Sequence, residues 1–426
     1  MGWGLPMQPR NVLLNGASIP TLITAGKRKK QVGRPAVQSS SSTQTSRSIF
    51  GGSPHRSIVD APALIRSNAV RGRSALDIAR SVLNAASVTR PTEMHIYFDL
   101  EDRVMYPPQR DIVQAIRYPG APPPALTAEF CKLMNCQTIH DLYLADIYHL
   151  PTLKNASIDW VSAFSSTELK PFAWRVFAAA LRASAIERAG TTQSPQFKIF
   201  CADGKTTHCV SNTGIASTLL KKLEPDFGEA DLRVFYDAAM ANMDGRKTII
   251  HSIDTDFLLM TIASAWFVPR EPFYIALKHS AFDGCKVLKL IGAGDTVRRL
   301  NAAFWCMAAG TDYSNPLTNN GYYTKCLVQL MADPPQGPFV LSAKAAVFKP
   351  TLVKPILARI KCRKMKKTPL KTLSDTVSDM LFCVKYYGLH WAWTGTTPYP
   401  KHVHLSNATK DDVTVFPTAP LFQHMP

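Results

Sequence analysis

No stretch of this sequence approaches the ~18 consecutive apolar residues that a membrane-spanning helix needs. The best candidate, Phe257 to Val268, is too short and reads as a buried element. No Cys-x-x-Cys pair occurs among the nine cysteines, an odd number, so neither a disulfide framework nor a zinc ribbon is indicated. Cys131 and Cys136 stand five apart, and Cys201, His208 and Cys209 cluster. These read first as reduced core or loop thiols and only second as a metal site. No compact apolar segment of the signal-peptide kind opens the chain, and Met1-Gly2 is followed by Pro6 where a myristoylation signal carries Ser or Thr. No internal repeat is visible. These absences point away from a membrane partner and toward a reducing, intracellular compartment, nuclear or cytoplasmic.

Acidic residues are also in short supply: 31 Asp and Glu face 49 Lys and Arg in 426 residues, a formal charge of +18. Such an excess on a chain that is 46% hydrophobic describes a folded protein with a polyanionic partner, most often nucleic acid. The charge is uneven. Residues 1–90 carry +11 and residues 341–426 carry +9, whereas residues 91–340 carry −2. Nucleic-acid binding alone does not account for an acidic centre between two basic ends.

Three regions follow. Residues 1–56 read as a basic, largely flexible segment. It contains Lys27-Arg28-Lys29-Lys30, then Ser39-Ser40-Ser41-Ser42 and Gly51-Gly52-Ser53-Pro54, and it buries too little to repay its ordering entropy. The basic run reads equally as a nuclear address, a phosphate-binding arm or a solvated charge run. Residues 57–335 read as the folded domain. Residues 336–426 form a basic region with a Pro/His-rich tail, and Lys361, Arg363, Lys364, Lys366 and Lys367 there suit a nucleic-acid backbone. Tyr386, Tyr387, Trp391 and Trp393 lie beyond that run. They could stack unpaired bases, although Trp391 and Trp393 fit a core better.

Within the folded domain, short apolar strands alternate with helical segments. Ile58-Val59, His95 to Phe98, Phe197 to Phe200, Thr248 to Ile253 and Phe273 to Leu277 read as strands. Ala61 to Ala86 and Phe172 to Ala189 have helical spacing, and residues 119–127, rich in proline, read as a loop. Gly292-Ala293-Gly294-Asp295 lacks the Lys and third Gly of a phosphate loop and reads as a turn. The alternation predicts an α/β fold with a mainly parallel sheet flanked by helices.

Carboxylates recur where the predicted strands end, the edge at which open parallel sheets bind ligands. Asp60 follows the first strand and Asp99 the second. Glu229 and Asp231 open a helix, Asp254 and Asp256 follow Ile253, and Asp312 follows the apolar run Ala302 to Ala309. Singly, an Asp at such a place is best explained as a helix cap. Collected at one edge, the set would repel itself unless cations neutralised it. Mg²⁺ and Mn²⁺ are hard cations that take such oxygen ligands, and a pair of them suits phosphodiester hydrolysis.

In order and spacing these pieces resemble the flap endonuclease/XPG branch of the PIN-like nucleases. Met1-Gly2-Trp3-Gly4-Leu5 is similar to that family's start. Ile58-Val59-Asp60-Ala61 with Leu64-Ile65 and Val70-Arg71 resembles its first metal-binding Asp and the helix after it. Tyr97-Phe98-Asp99 with Pro107-Pro108-Gln109-Arg110 resembles its Phe-Asp-Gly-x-Pro-Pro-x-x-Lys motif. Gly228-Glu229-Ala230-Asp231, Asp254-Thr255-Asp256-Phe257-Leu258 and Ala309-Gly310-Thr311-Asp312-Tyr313 resemble three further motifs. The resemblance implies a PIN-like (5′-nuclease) three-layer fold and a two-metal nuclease using Mg²⁺ or Mn²⁺. Asp60, Asp99, Glu229 and Asp231 would hold one ion, and Asp254, Asp256 and Asp312 the other. Arg71 and Arg110 would act as catalytic residues against the scissile phosphate. The substrate would be DNA or RNA, as a flap, single strand or structured form.

The sequence departs from that pattern in places. Leu100 replaces the Gly after Asp99, and extra residues before Pro107 make Asp102 a rival ligand. After Asp312 only Gly321 and Lys325 match the hairpin with which flap endonucleases grip duplex DNA. Related branches cut RNA, as 5′→3′ exoribonucleases and host-shutoff RNases, so an RNA-degrading activity is the first alternative. A nuclease-like fold that only binds nucleic acid is the second. A phosphatase of another acidic α/β fold is disfavoured by the missing Asp-x-Asp-x-Thr/Val motif and by the charge of +18.

Overall fold

The structure, a computed structural model, describes residues 49–69, 73–99, 124–133, 137, 158–166, 169–190, 194–201, 206–219, 229–277, 280–292, 294–308, 310–311, 313–314, 337–341, 345–349, 351–353, 370–389 and 415–417. Along the chain these form β1 (Arg56–Asp60), α1 (Ala61–Asn68), α2 (Ala75–Ser87), β2 (Glu93–Tyr97), α3 (Pro124–Leu133), α4 (Trp160–Ser165), α5 (Lys170–Ala189) and β3 (Gln196–Phe200). Next come β4 (Thr206–Ser211), β5 (Gly214–Leu219), α6 (Ala230–Met243), β6 (Thr248–Ser252), α7 (Asp256–Ala263), β7 (Phe273–Leu277) and β8 (Ser280–Asp283). The remainder are α8 (Gly284–Ile291), α9 (Thr296–Met307), β9 (Phe339–Leu341), β10 (Ala345–Phe348), α10 (Leu370–Tyr387) and β11 (Val415–Pro417).

Eight strands make one sheet in the order β5-β4-β3-β2-β1-β6-β7-β8. The five central strands, β3, β2, β1, β6 and β7, are parallel. The edges β4, β5 and β8 are antiparallel. All five expected strands are present, in the parallel set. The β4–β5 hairpin was not foreseen, because its Thr- and Ser-rich alternation carries little apolar signal. A smaller antiparallel sheet runs β11-β10-β9.

Helices cover both faces, and the period-2 alternation of the strands assigns each side chain to one of two cores. Val59, Ile96, Phe98, Phe197 and Ile199 face α1, α2 and α5, with Ile78, Leu83, Trp174 and Phe177 buried among them. Ile58, Tyr97, Ile250 and Ile275 face the opposite core, built by α6, α7, α8, α9 and α10. The buried side chains of α10, including Val377, Met380, Leu381 and Val384, are part of that second core. Two helical predictions differ in detail. The spacing over 61–86 resolves into two helices, the second begun by Ser74, whose Oγ accepts from the Asp77 amide at 3.1 Å. The Pro-rich stretch ends in α3, which starts at Pro124, because proline loses nothing in a first helical turn.

The connections leading from β1 to β2 and β3 lie on one face, while α6 and α7, which precede and follow β6, lie on the other. The direction of winding therefore reverses between β1 and β6, and the carboxyl ends of those two strands form the switch point at which open sheets bind ligands. Helix α6 is fixed against the sheet by a buried charge network anchored at the amino ends of β1 and β2. Asp237 of α6 accepts from His95 Nδ1 at 2.5 Å, from Arg56 at 2.8 Å and from the Tyr97 hydroxyl at 3.0 Å. Glu93 completes the network, contacting His95, Arg56, Lys198 and Arg246. The His95 hydrogen bond, together with the Lys198 bond and the Arg56 charge, holds the Glu93 carboxyl far below its ordinary range despite burial.

Arg299 of α9 closes the other end of α7. Its guanidinium is fully buried and donates to the carbonyls of Thr261, Ser264 and Phe267 at 2.9, 2.6 and 2.9 Å. Carbonyls at a helix C-terminus lack intrahelical partners and carry the negative end of the dipole, so a cation there meets both needs. Burial pulls the guanidinium down to about 9, still charged at neutral pH. Replacing Arg299 by Met strands several buried carbonyls at once and is expected to destabilise the fold by about 3–5 kcal/mol in chemical denaturation. Stability within 1 kcal/mol of wild type, on the order of experimental scatter, would contradict that role.

Candidate functional site

The carboxyl ends of β1, β2 and β6 each deliver an aspartate to the N-terminus of a helix. Asp60 caps α1, its Oδ1 accepting from the Ala63 amide at 3.3 Å. Asp99, just after β2, caps a helix that does not follow it in sequence: its Oδ1 accepts from the Ala230 amide of α6 at 3.1 Å. The N-cap residue of α6 itself, Glu229, makes no capping bond with its side chain. Asp254 accepts from the Asp256 amide at 3.0 Å, at the start of α7. The capping explanation thus holds for Asp60 locally and for Asp99 across the chain, while Asp254 accepts from the first amide of α7 from one residue before that helix's N-cap, Thr255. Because β2, β1 and β6 are parallel and adjacent, all three carboxylates stand at the carboxyl edge of the sheet, around the switch point.

Ser252, the last residue of β6, ties the two sides together. Its hydroxyl donates to Asp60 Oδ2 at 2.6 Å and accepts from the Asp254 amide at 3.0 Å. Burial, augmented by the charges of Asp99 and Asp254, pushes the Asp60 carboxyl up to about 7, even though the Ser252 and Ala63 bonds pull the other way. The shift is thus mainly an effect of burial, to which the neighbouring carboxylates add.

Two further carboxylates are held by phenols. Glu229 is buried, and its Oε2 accepts from the hydroxyls of Tyr386, at 3.0 Å, and of Tyr313. Asp256 is buried, and its Oδ2 accepts from the Tyr387 hydroxyl at 2.5 Å. Tyr313 is set by Thr311, whose Oγ1 accepts from the amides of Tyr313 and Ser314, each at 3.1 Å. Asp231 lies in the first turn of α6, partly exposed. Arg233, two residues further on, donates to the Phe98 carbonyl at 3.0 Å and lies over the Tyr97 ring, fixing the backbone that presents Asp99.

Six of the seven expected ligands, Asp60, Asp99, Glu229, Asp231, Asp254 and Asp256, therefore stand at strand ends or helix starts on one edge of the sheet. Asp312, the third member of the set with Asp254 and Asp256, lies outside the described residues, as do Asp102, Arg71, Arg110, the Lys27–Lys30 run and Lys361 to Lys367. Among the described residues, no group of three or more His, Cys, Asp or Glu side chains is gathered closely enough to hold a metal ion. The donor chemistry nevertheless fits a hard divalent cation: the donors are carboxylate oxygens, and Asp60, which burial chiefly and Asp99 and Asp254 to a lesser degree push up to about 7, is one of them. The Cys201, His208 and Cys209 cluster consists of free thiols beside a buried histidine on the β3–β4 pair.

Ser252, Tyr386 and Tyr387 were not singled out as site residues from sequence. A serine two residues before an aspartate carries no signal of its own. The tandem tyrosines were visible, but read as base-stacking aromatics, because nothing in sequence brings position 387 to position 256.

No protein-family model matches this chain, and a search of curated proteins finds no match.

The Asp60 carboxyl gives a pH-dependent prediction. Its folded value of about 7 exceeds the ordinary 3.8, so the folded state binds that proton more tightly, and stability falls as pH rises from about 4 to about 7. Three units correspond to roughly 4 kcal/mol. In chelator, Asp60→Asn is expected to stabilise the protein at pH 8 by up to that amount, with the gain vanishing near pH 4. Thermal unfolding across that range reads it, and equal stability of the two proteins at pH 8 would contradict it.

Proposed function

We propose that this chain is a metal-dependent nuclease with a PIN-like, 5′-nuclease fold, hydrolysing phosphodiester bonds of a flap, single-stranded or structured nucleic acid. The observation that carries the reading is that Asp60, Asp99 and Asp254 follow or end three adjacent parallel strands where the winding of the sheet reverses, with the charges of Asp99 and Asp254 acting on the Asp60 carboxyl. The parallel strand order and the six motifs in matching sequence order support it.

In this reading Asp60, Asp99, Glu229 and Asp231 hold one Mg²⁺ or Mn²⁺, and Asp254, Asp256 and Asp312 the other. The ions supply the Lewis acidity that phosphodiester hydrolysis needs. The chain's own residues prepare the site. Asp60 keeps a proton near neutral pH and releases it when positive charge arrives. Ser252 holds the Asp60 carboxylate and the Asp254 backbone in one register. Arg71 and Arg110 stabilise charge building on the phosphate. The basic ends, Lys27, Arg28, Lys29 and Lys30 with Lys361, Arg363, Lys364, Lys366 and Lys367, contribute salt-dependent affinity along the strand.

An RNA substrate is the second reading. It is favoured by the sequence after Asp312, which keeps only Gly321 and Lys325 of the duplex-gripping hairpin.

Matched DNA and RNA substrates, with and without a 5′ flap, tested in Mg²⁺ and in Mn²⁺, decide between these. Cleavage is expected with at least one, and Asp254→Ala or Asp312→Ala is expected to lower it by about a hundredfold or more while binding survives. Full activity in either variant would overturn the site. Tight, salt-sensitive binding with no cleavage of any substrate would support the non-catalytic alternative.

A further inference from the structure

We infer that Tyr386 and Tyr387, the last two residues of α10, are positioning residues that set the Glu229 and Asp256 carboxylates for divalent-cation binding, an inference that rests on the metal-dependent reading above. The two hydroxyls reach different carboxylates on different helices. Tyr386 donates to Glu229 at the start of α6, and Tyr387 donates to Asp256 at the start of α7. The α6 and α7 N-termini carry members of the two expected ligand sets, so one pair of neighbouring residues touches both.

The tyrosines are themselves held rigidly. Both are buried, and their rings pack against Tyr313 at centroid distances of 5.1 and 5.7 Å, with Phe382 stacked on Tyr386 at 5.2 Å. The end of α10 is pinned by the Trp266 indole, which donates to the Gly388 carbonyl at 2.7 Å. A phenol has few rotatable bonds and offers one donor, so a packed ring delivers its hydroxyl to a fixed point. At Glu229 two phenols, from Tyr313 and Tyr386, meet on the same oxygen, Oε2, which fixes the rotation of that carboxylate. Hydrogen bonds to ligand carboxylates of this kind orient them and tune their affinity for a cation, typically by tenfold to a hundredfold.

A purely structural role would be served by the rings. Phenylalanine keeps the ring and deletes only the hydroxyl, so Tyr386→Phe and Tyr387→Phe separate packing from positioning. Mn²⁺ binding to the full-length protein, followed by calorimetric titration, is the measurement, with thermal unfolding in chelator alongside it. Each variant is expected to fold cooperatively and to bind Mn²⁺ about tenfold or more weakly than wild type. Tyr274→Phe, on β7 away from these carboxylates, is expected to bind as wild type does. If Tyr386→Phe does not fold, Tyr313→Phe removes a donor from the same Glu229 oxygen and reads the same effect. Unchanged affinity in the folded variants, with wild type binding Mn²⁺, overturns the inference and leaves the metal-dependent reading standing. A wild-type protein that binds no Mn²⁺ overturns both.

Discussion

The hydrogen bond from Ser252 to Asp60 joins the carboxyl ends of β1 and β6, the two strands between which the sheet reverses its winding. Everything acidic in the site is arranged around that junction. β1 brings Asp60 and β6 brings Ser252 and Asp254. β2, on the other side of β1, brings Asp99, which reaches across to cap α6 and so places Glu229 and Asp231 at the same edge. The Asp237 network under the middle of α6 and the Arg233 contacts with Phe98 and Tyr97 keep that helix from rotating.

Much of this was legible in the sequence because parallel strands are continuous apolar runs and their ends are marked by polar residues. Ile249-Ile250 followed by Asp254 says both that a strand is buried on two faces and where it stops. The helix caps were equally local, since Asp60 and Asp254 satisfy amides within three residues of themselves. Asp99 shows where local reading fails: its cap partner, Ala230, is 131 residues away. The same holds for the phenols of Tyr386 and Tyr387, and for Arg299, whose charge looks like a surface feature in sequence and proves to be a buried helix cap. The Thr-rich β4 and β5 were missed because an edge hairpin needs few apolar residues.

The arrangement carries a cost. A buried aspartate held near 7 by burial and by two neighbouring carboxylates opposes folding at neutral pH. Elsewhere the fold is over-determined: two apolar cores sandwich the sheet, Arg299 caps α7, and Glu93 and Asp237 are surrounded by cations. A destabilising carboxylate buried at one sheet edge is the pattern expected of a binding site rather than of packing.

The central claim is that this edge takes up divalent cations. The most direct measurement is the melting temperature of the wild-type protein at a pH just above 7 as Mn²⁺ is titrated in. A ligand that binds only the folded state raises stability with the logarithm of its concentration once past its dissociation constant. The account predicts a continuous, saturation-free rise in melting temperature that chelator reverses. A melting temperature indifferent to Mn²⁺ would contradict it.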